Sequence, residues 1–140
     1  MSGSIKTVAL LGYTGNIGPH ALNALVANGN SNVTVFSRSA QDEKLPNATF
    51  RQIDLASSSV ESLAQEFKGH GAVADLTSIP DPTVSIRVVD AAVAASVYRF
   101  IPAEFSHSPS NVKARALPLW AGKNLVYQHL TKLADERQLC

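Results

Sequence analysis

Glycines at positions 12, 15 and 18, in the run GYTGNIG, follow directly on the apolar segment IKTVALL of residues 5–11. A strand that turns at once into a helix brings backbone against backbone. Only a residue without Cβ tolerates that approach while leaving amides free to face an anion. The GxxGxxG spacing is weak evidence alone; its position between a β-branched run and a helical pattern makes it a signal for a phosphate-binding turn. The helix behind it reads from about Asn16 to Asn28, with Ile17, Ala21, Ala24 and Leu25 on one face. Pro19 is tolerated in its first turn and Gly29 is its stop.

The second strand, Val33 to Phe36, closes the crossover within about 30 residues, the length a βαβ unit needs. Ala48 to Ile53 reads as a third strand, and Val60 to Phe67 as a helix that buries Val60, Leu63, Ala64 and Phe67. Gly71 to Leu76 is a fourth strand. After the Ile79-Pro80-Asp81-Pro82 turn, Thr83 to Ser96 is a helix with Val84, Val88, Ala91, Ala92 and Ala95 on its packing side. Val97 to Ile101 is a fifth strand, stopped by Pro102. A Ser- and Pro-rich loop to about Leu117 leads into a last helix that starts near Pro118 and runs to the end. With 45% apolar and 16% charged residues, the chain can fill a sheet covered on both faces. Strands alternating with helices imply an α/β fold, a doubly wound parallel sheet of Rossmann type with strand order 3-2-1-4-5, as one domain over residues 1–140.

The net charge of +1, without a Lys/Arg cluster, gives no footprint for nucleic acid or an anionic membrane. No run approaches the roughly 18 apolar residues of a membrane helix. The single cysteine, Cys140, allows neither a disulfide framework nor a CxxC metal site, and His20, His70, His107 and His129 lack metal-ligand spacing. The expectation is a cytoplasmic protein with a small-molecule partner and no metal.

An acidic residue at the end of the second strand would hold the 2′-hydroxyl of NAD. Ser37 and Arg38 stand there instead. A guanidinium can stack on adenine and pair with a 2′-phosphate, so NADP(H) is the expected cofactor, with a solvated surface arginine as the alternative. Asp54 either reaches the adenine edge or caps the helix that begins near Ser57 to Ser59. On the last helix Leu119, Val126, Leu130, Leu133 and Ala134 form a stripe, and Lys123 falls inside it. A cation there either points at the carboxyl ends of the strands as an acid/base group or snorkels to solvent. Tyr13, Tyr98 and Tyr127 have no lysine four residues on, which argues against the tyrosine-lysine pair of short-chain reductases.

GYTGNIG, VFSRS, the RFIPAEFS segment at Arg99 to Ser106 and the Lys123 helix together resemble the NmrA-like, isoflavone-reductase-like family of atypical short-chain dehydrogenases. The resemblance covers essentially the whole chain. It implies that Lys123 is the active-site general acid/base of an NADPH-dependent reduction. It implies further that Gly12, Thr14, Gly15, Asn16, Ile17 and Gly18 cradle the pyrophosphate and Arg38 the 2′-phosphate. Thr77, Ser78 and Ile79 would line the cofactor cleft, and Pro102, Glu104 and Phe105 would lie beside the nicotinamide. Asn16, Ala103 and Ser106 depart from the family pattern, which has an aromatic, a serine and a glycine at these positions. Members are about twice as long by the domain-size norm. The chain is therefore expected to be a truncated or shortened member without its substrate region, leaving a sheet edge or an apolar helix face exposed. The functions in competition are a reductase of a small aromatic or polyketide-like carbonyl or olefin in specialised metabolism, a non-catalytic NADP sensor with a protein partner, and an inactive fragment.

Overall fold

The computed structural model describes residues 4–136, 138 and 139; Cys140 lies outside the described residues. Five parallel strands, β1 (Thr7–Leu11), β2 (Asn32–Ser37), β3 (Ala48–Gln52), β4 (Ala72–Asp75) and β5 (Arg99–Ile101), form one sheet in the order β3-β2-β1-β4-β5. Leu11 stands level with Phe36 on one side and Asp75 on the other, so the carboxyl ends of the central strands share one rim. The loops that carry most of the functional candidates leave the sheet at that rim.

The alternation of side chains divides the core in two. Ala9, Leu11, Phe36, Val73 and Phe100 face a layer of three helices: α2 (Val60–Phe67), α3 (Pro82–Ala94) and α5, which spans Ala121–Asp135. Val8, Leu10, Val33, Val35 and Ala74 face α1 (Gly18–Asn28) on the opposite side. Phe36 and Phe67 meet edge to face at 5.9 Å, an arrangement that adds about 1 kcal/mol to what area burial contributes. Ser59 caps α2 by accepting from the Ser62 amide at 3.1 Å, and Asp81 caps α3 by accepting from the Thr83 amide at 2.9 Å.

Several boundaries and faces differ from expectation. The first helix begins at Gly18, and its packing face is Gly18, Ala21, Leu22, Leu25 and Val26, with Ile17 and Ala24 exposed. The tight seating of Gly18 on the preceding loop rotates the helix away from the expected stripe. Of Val97 to Ile101 only Arg99–Ile101 pairs with β4, because Val97 is occupied in closing α3, its amide donating to the Ala92 carbonyl at 3.0 Å behind a left-handed Ser96 (φ 58°). Within the expected Ser/Pro loop lies a short helix, α4 (Val112–Arg115), capped by Asn111. Pro118 opens a 3₁₀ turn rather than α5, which leaves Leu119 81% exposed. Of the expected stripe Val126 and Leu130 are half-buried, Leu133 is buried and Ala134 is exposed. The rim and its edges bear on the expected exposure: β5 is a three-residue border ended by Pro102, with Tyr98 and Ile101 exposed, and further large apolar side chains are exposed at Val112, Leu117 and Leu119.

Candidate functional site: a dinucleotide cleft and an adjoining cavity

Gly12 leaves β1 in the left-handed region at φ 82°, where a side chain is strained. A Cβ there would lie 2.5 Å from the Leu76 carbonyl and 2.6 Å from the Thr77 nitrogen, so the loop crosses the end of β4 in backbone contact. Gly15 donates to the Gly12 carbonyl at 3.1 Å and tightens the turn. Gly18 has a different task from the one expected of it. A Cβ on Gly18 would collide with the carbonyl oxygens of Gly12 and Tyr13, and the residue is buried and does not line the cleft. It seats the helix rather than facing a ligand. The N-cap, Ile17, supplies no side-chain hydrogen bond, and the first turn holds no acidic residue. The amides at this helix start are therefore uncapped and available to an anion.

Gly12, Thr14, Gly15, Asn16 and Ile17 line one end of a cleft of about 710 Å³, and Arg38 and Asp54 line it beyond β2 and β3. The exposed Arg38 guanidinium makes no ion pair or hydrogen bond among the described residues, whereas its carbonyl is fixed by Gln52 Nε2 at 2.9 Å. Asp54 is not the cap of α2. Its carboxylate accepts from Ser57 Oγ at 2.9 Å and the Ala56 amide at 3.0 Å. The Ser57 hydroxyl, then the Ala56 amide, hold its carboxyl below the usual range, so the cleft carries an anion there beside Arg38.

Thr77, Ser78 and Ile79 line both this cleft and a second cavity of about 220 Å³ between the end of β4, α3 and α5. Pro102 and Glu104 line the second cavity, and Phe105, 56% exposed, lines the cleft. Lys123 borders both. Its half-buried side chain runs to the sheet rim, where Nζ donates to the Ala103 carbonyl at 2.5 Å. The rim-directed alternative expected for this lysine is thus the one realised.

Two residues that sequence reasoning passed over complete the picture. Arg115 is buried and pairs with Glu104 at 2.5 Å, their side chains being 7% and 17% exposed, while its guanidinium lies 4.7 Å over the Tyr127 ring. Glu104 thus directs its charge at α4, and Tyr127 is a platform for a cation. Nothing in a Ser-rich stretch marks Arg115 as buried. Asp75 had a visible signal, an aspartate inside the apolar strand GAVADL. It is 4% exposed, and its Oδ1 accepts from both the Thr77 amide at 2.9 Å and the Thr77 hydroxyl at 2.6 Å. Burial pushes its carboxyl up from the ordinary value, against smaller opposing effects of Thr77 and Lys123. Three of the four histidines are engaged in packing or pairing: His70 bridges Phe67 and Thr34, His107 packs on Trp120, and His129 pairs with Asp90 at 2.6 Å.

Comparison with known proteins agrees with this fold. Oxidoreductase aprR of Aspergillus flavus is 31% identical over 126 residues, covering 88% of this chain and 42% of the relative. The chain thus spans less than half the length of the curated relative it matches. Among solved structures, AtPrR2 with NADP+ and (+)-pinoresinol superposes with a TM-score of 0.74 at 22% identity, over 94% of this chain and 48% of that one. A putative epimerase from Bacteroides thetaiotaomicron superposes with a TM-score of 0.69 at 19% identity, over 97% and 68% of the two chains. At such identities these structures speak for the fold. The family described as NAD(P)H-binding matches residues 12–138, nearly the full length, and the chain belongs to that family.

Proposed function

We propose that residues 1–140 form the NAD(P)-binding domain of an NADPH-dependent reductase of the NmrA-like, isoflavone-reductase-like kind, acting on a small aromatic or polyketide-like carbonyl or olefin. The observation that carries the reading is the position of the Lys123 amine, at the one wall shared by the dinucleotide cleft and the second cavity. A group so placed faces both a cofactor and a substrate. The fit to a dinucleotide rests on the uncapped start of α1 and on Gly12, whose missing Cβ lets the loop cross the end of β4 in backbone contact and so brings that helix start to the cleft. The amides of this loop other than that of Gly15, which donates to the Gly12 carbonyl, would hold the pyrophosphate. Arg38, just past the end of β2 where no acidic residue stands, would favour the 2′-phosphate of NADP over NAD, with the Asp54 carboxylate as the opposing charge nearby. Thr77, Ser78, Ile79 and Phe105 would flank the nicotinamide. When bound, NADPH supplies a hydride. Lys123 delivers a proton to the substrate oxygen, and the Ala103 carbonyl keeps its amine on the rim.

Purified protein incubated with NADPH and a panel of aromatic carbonyls and enones should oxidise the cofactor. Lys123→Ala should lose about a hundredfold or more of that rate while binding NADP+ as before. Arg38→Ala should weaken NADP+ by about tenfold to a hundredfold and leave NAD+ unaffected. Equal turnover with and without the lysine removes its role. Tight NADP+ binding with no turnover on any substrate, together with NADP-dependent capture of a partner protein, selects the regulatory reading instead.

A further inference from the structure

A carboxylate at the end of a fully buried strand calls for a reason, since alternation along β4 puts Asp75 on the same face as Val73, where the core is otherwise apolar. Thr77 engages only Oδ1. Oδ2 has no hydrogen bond among the described residues and is not sealed from solvent, so the open side of the carboxyl is the cavity that Asp75 lines together with Lys123. The other charged groups around this cavity each have a hydrogen-bond partner among the described residues. Glu104 is paired with Arg115. On α3 and its cap, Asp81 is bonded to Thr83, Arg87 to the Ala56 carbonyl and Asp90 to His129. On α5, His129 holds Asp90, and β1 contributes no charged side chain. Across the cleft, Asp54 is bonded to Ser57 and Ala56 in the vicinity of Arg38. Lys123, like Arg87, donates only to neutral carbonyl oxygen among the described residues, and of the two it is Lys123 that lines the cavity together with Asp75.

We propose that Asp75 is the counter-charge of Lys123, a positioning residue that holds the amine as an ammonium ion where the cleft and the second cavity meet. Its catalytic consequence rests on the proton-donor role of Lys123 given above; the pairing itself does not. In that role, an N–H bond of the ammonium breaks as an O–H bond forms on the reduced substrate. The neutral amine then stands beside a buried carboxylate that has lost its partner. That imbalance favours return of a proton from water to the amine, restoring the starting charges with one proton consumed per turnover.

Asp75→Asn is a clean probe, because an asparagine Oδ1 can keep both hydrogen bonds from Thr77 while removing the charge. The amine is followed by competitive acylation across pH, with the exposed Lys68 as internal reference, read by mass spectrometry. In Asp75→Asn the labelling midpoint of Lys123 should move to lower pH, giving about tenfold faster labelling at a fixed pH below the midpoint, the equivalent of one pH unit. An unchanged midpoint overturns the pairing, including when the plateau rate changes, since a plateau reports access alone. Should the asparagine variant fail to fold, Lys123→Met reads the same coupling from the other side. The Asp75 carboxyl, followed by its ¹³C resonance, should then hold its proton to higher pH than in the parent chain, and an unmoved titration overturns the proposal. Loss of turnover in Lys123→Ala with no midpoint shift in Asp75→Asn would sink this inference and leave the reductase reading standing. The reverse result would do the opposite.

Discussion

The loop that follows β1 and the segment that follows β5 hang from the same rim, yet they are held by different means. The glycine loop is fixed by backbone: Gly12 crosses the Leu76 and Thr77 backbone where no Cβ fits, and Gly18 seats α1 on the carbonyls of Gly12 and Tyr13. Residues 102–106 are held by side chains from elsewhere: Arg115 of α4, stacked over the Tyr127 ring, pairs with Glu104, and Lys123 of α5 donates to the Ala103 carbonyl. The first device is local and tolerates almost no substitution. The second recruits three separate stretches of chain and can be altered piece by piece.

Gly12→Ala is the hardest blow to this contrast. Left-handed strain and a backbone collision add up to about 3 kcal/mol or more, measurable by urea unfolding, and NADP+ binding should disappear with the crossing. Binding can be followed through Trp120, the chain's single tryptophan, which lines the cleft. A folded, fully binding alanine variant would break the backbone account. Arg115→Met comes next. Stranding the Glu104 carboxylate in a mostly buried position should cost about 3 kcal/mol, yet the affinity for NADP+ should hold because the glycine loop does not depend on the pair. If affinity falls along with stability, the two loops are not separate devices. Gly29→Ala sharpens the point with the smallest effect. Gly29 has a similar φ of 68° but nothing within 4 Å of where a Cβ would stand, so only the strain remains, about 1 kcal/mol. A loss as large as that at Gly12 would mean that dihedral strain, and not the crossing, governs the first loop.

This difference also explains what could be read in advance. The order of the sheet, the α2 span and the glycine turn follow from local patterns, because parallel strands and their helices announce themselves by period and punctuation. The rim-facing direction of Lys123 was one of two readings left open, since periodicity fixes the side of a helix and not the path of a long side chain. Arg115 was not legible because its burial depends on Glu104 and Tyr127, eleven and twelve residues away in opposite directions, meeting only after α4 and α5 have packed. Asp75 was legible in principle as a charge inside an apolar strand. The seating of Gly18 on the Gly12 and Tyr13 carbonyls is a tertiary contact that the spacing of the motif does not display.

The brevity of β5 has a consequence for how copies of the chain meet. A border with three ladder positions, closed by a residue lacking an amide hydrogen, is a poor template for intermolecular strand pairing. At this edge stickiness would therefore come from exposed apolar side chains such as Tyr98 and Ile101, and association through them would be reversible and would weaken with mild detergent instead of growing into cross-β fibres.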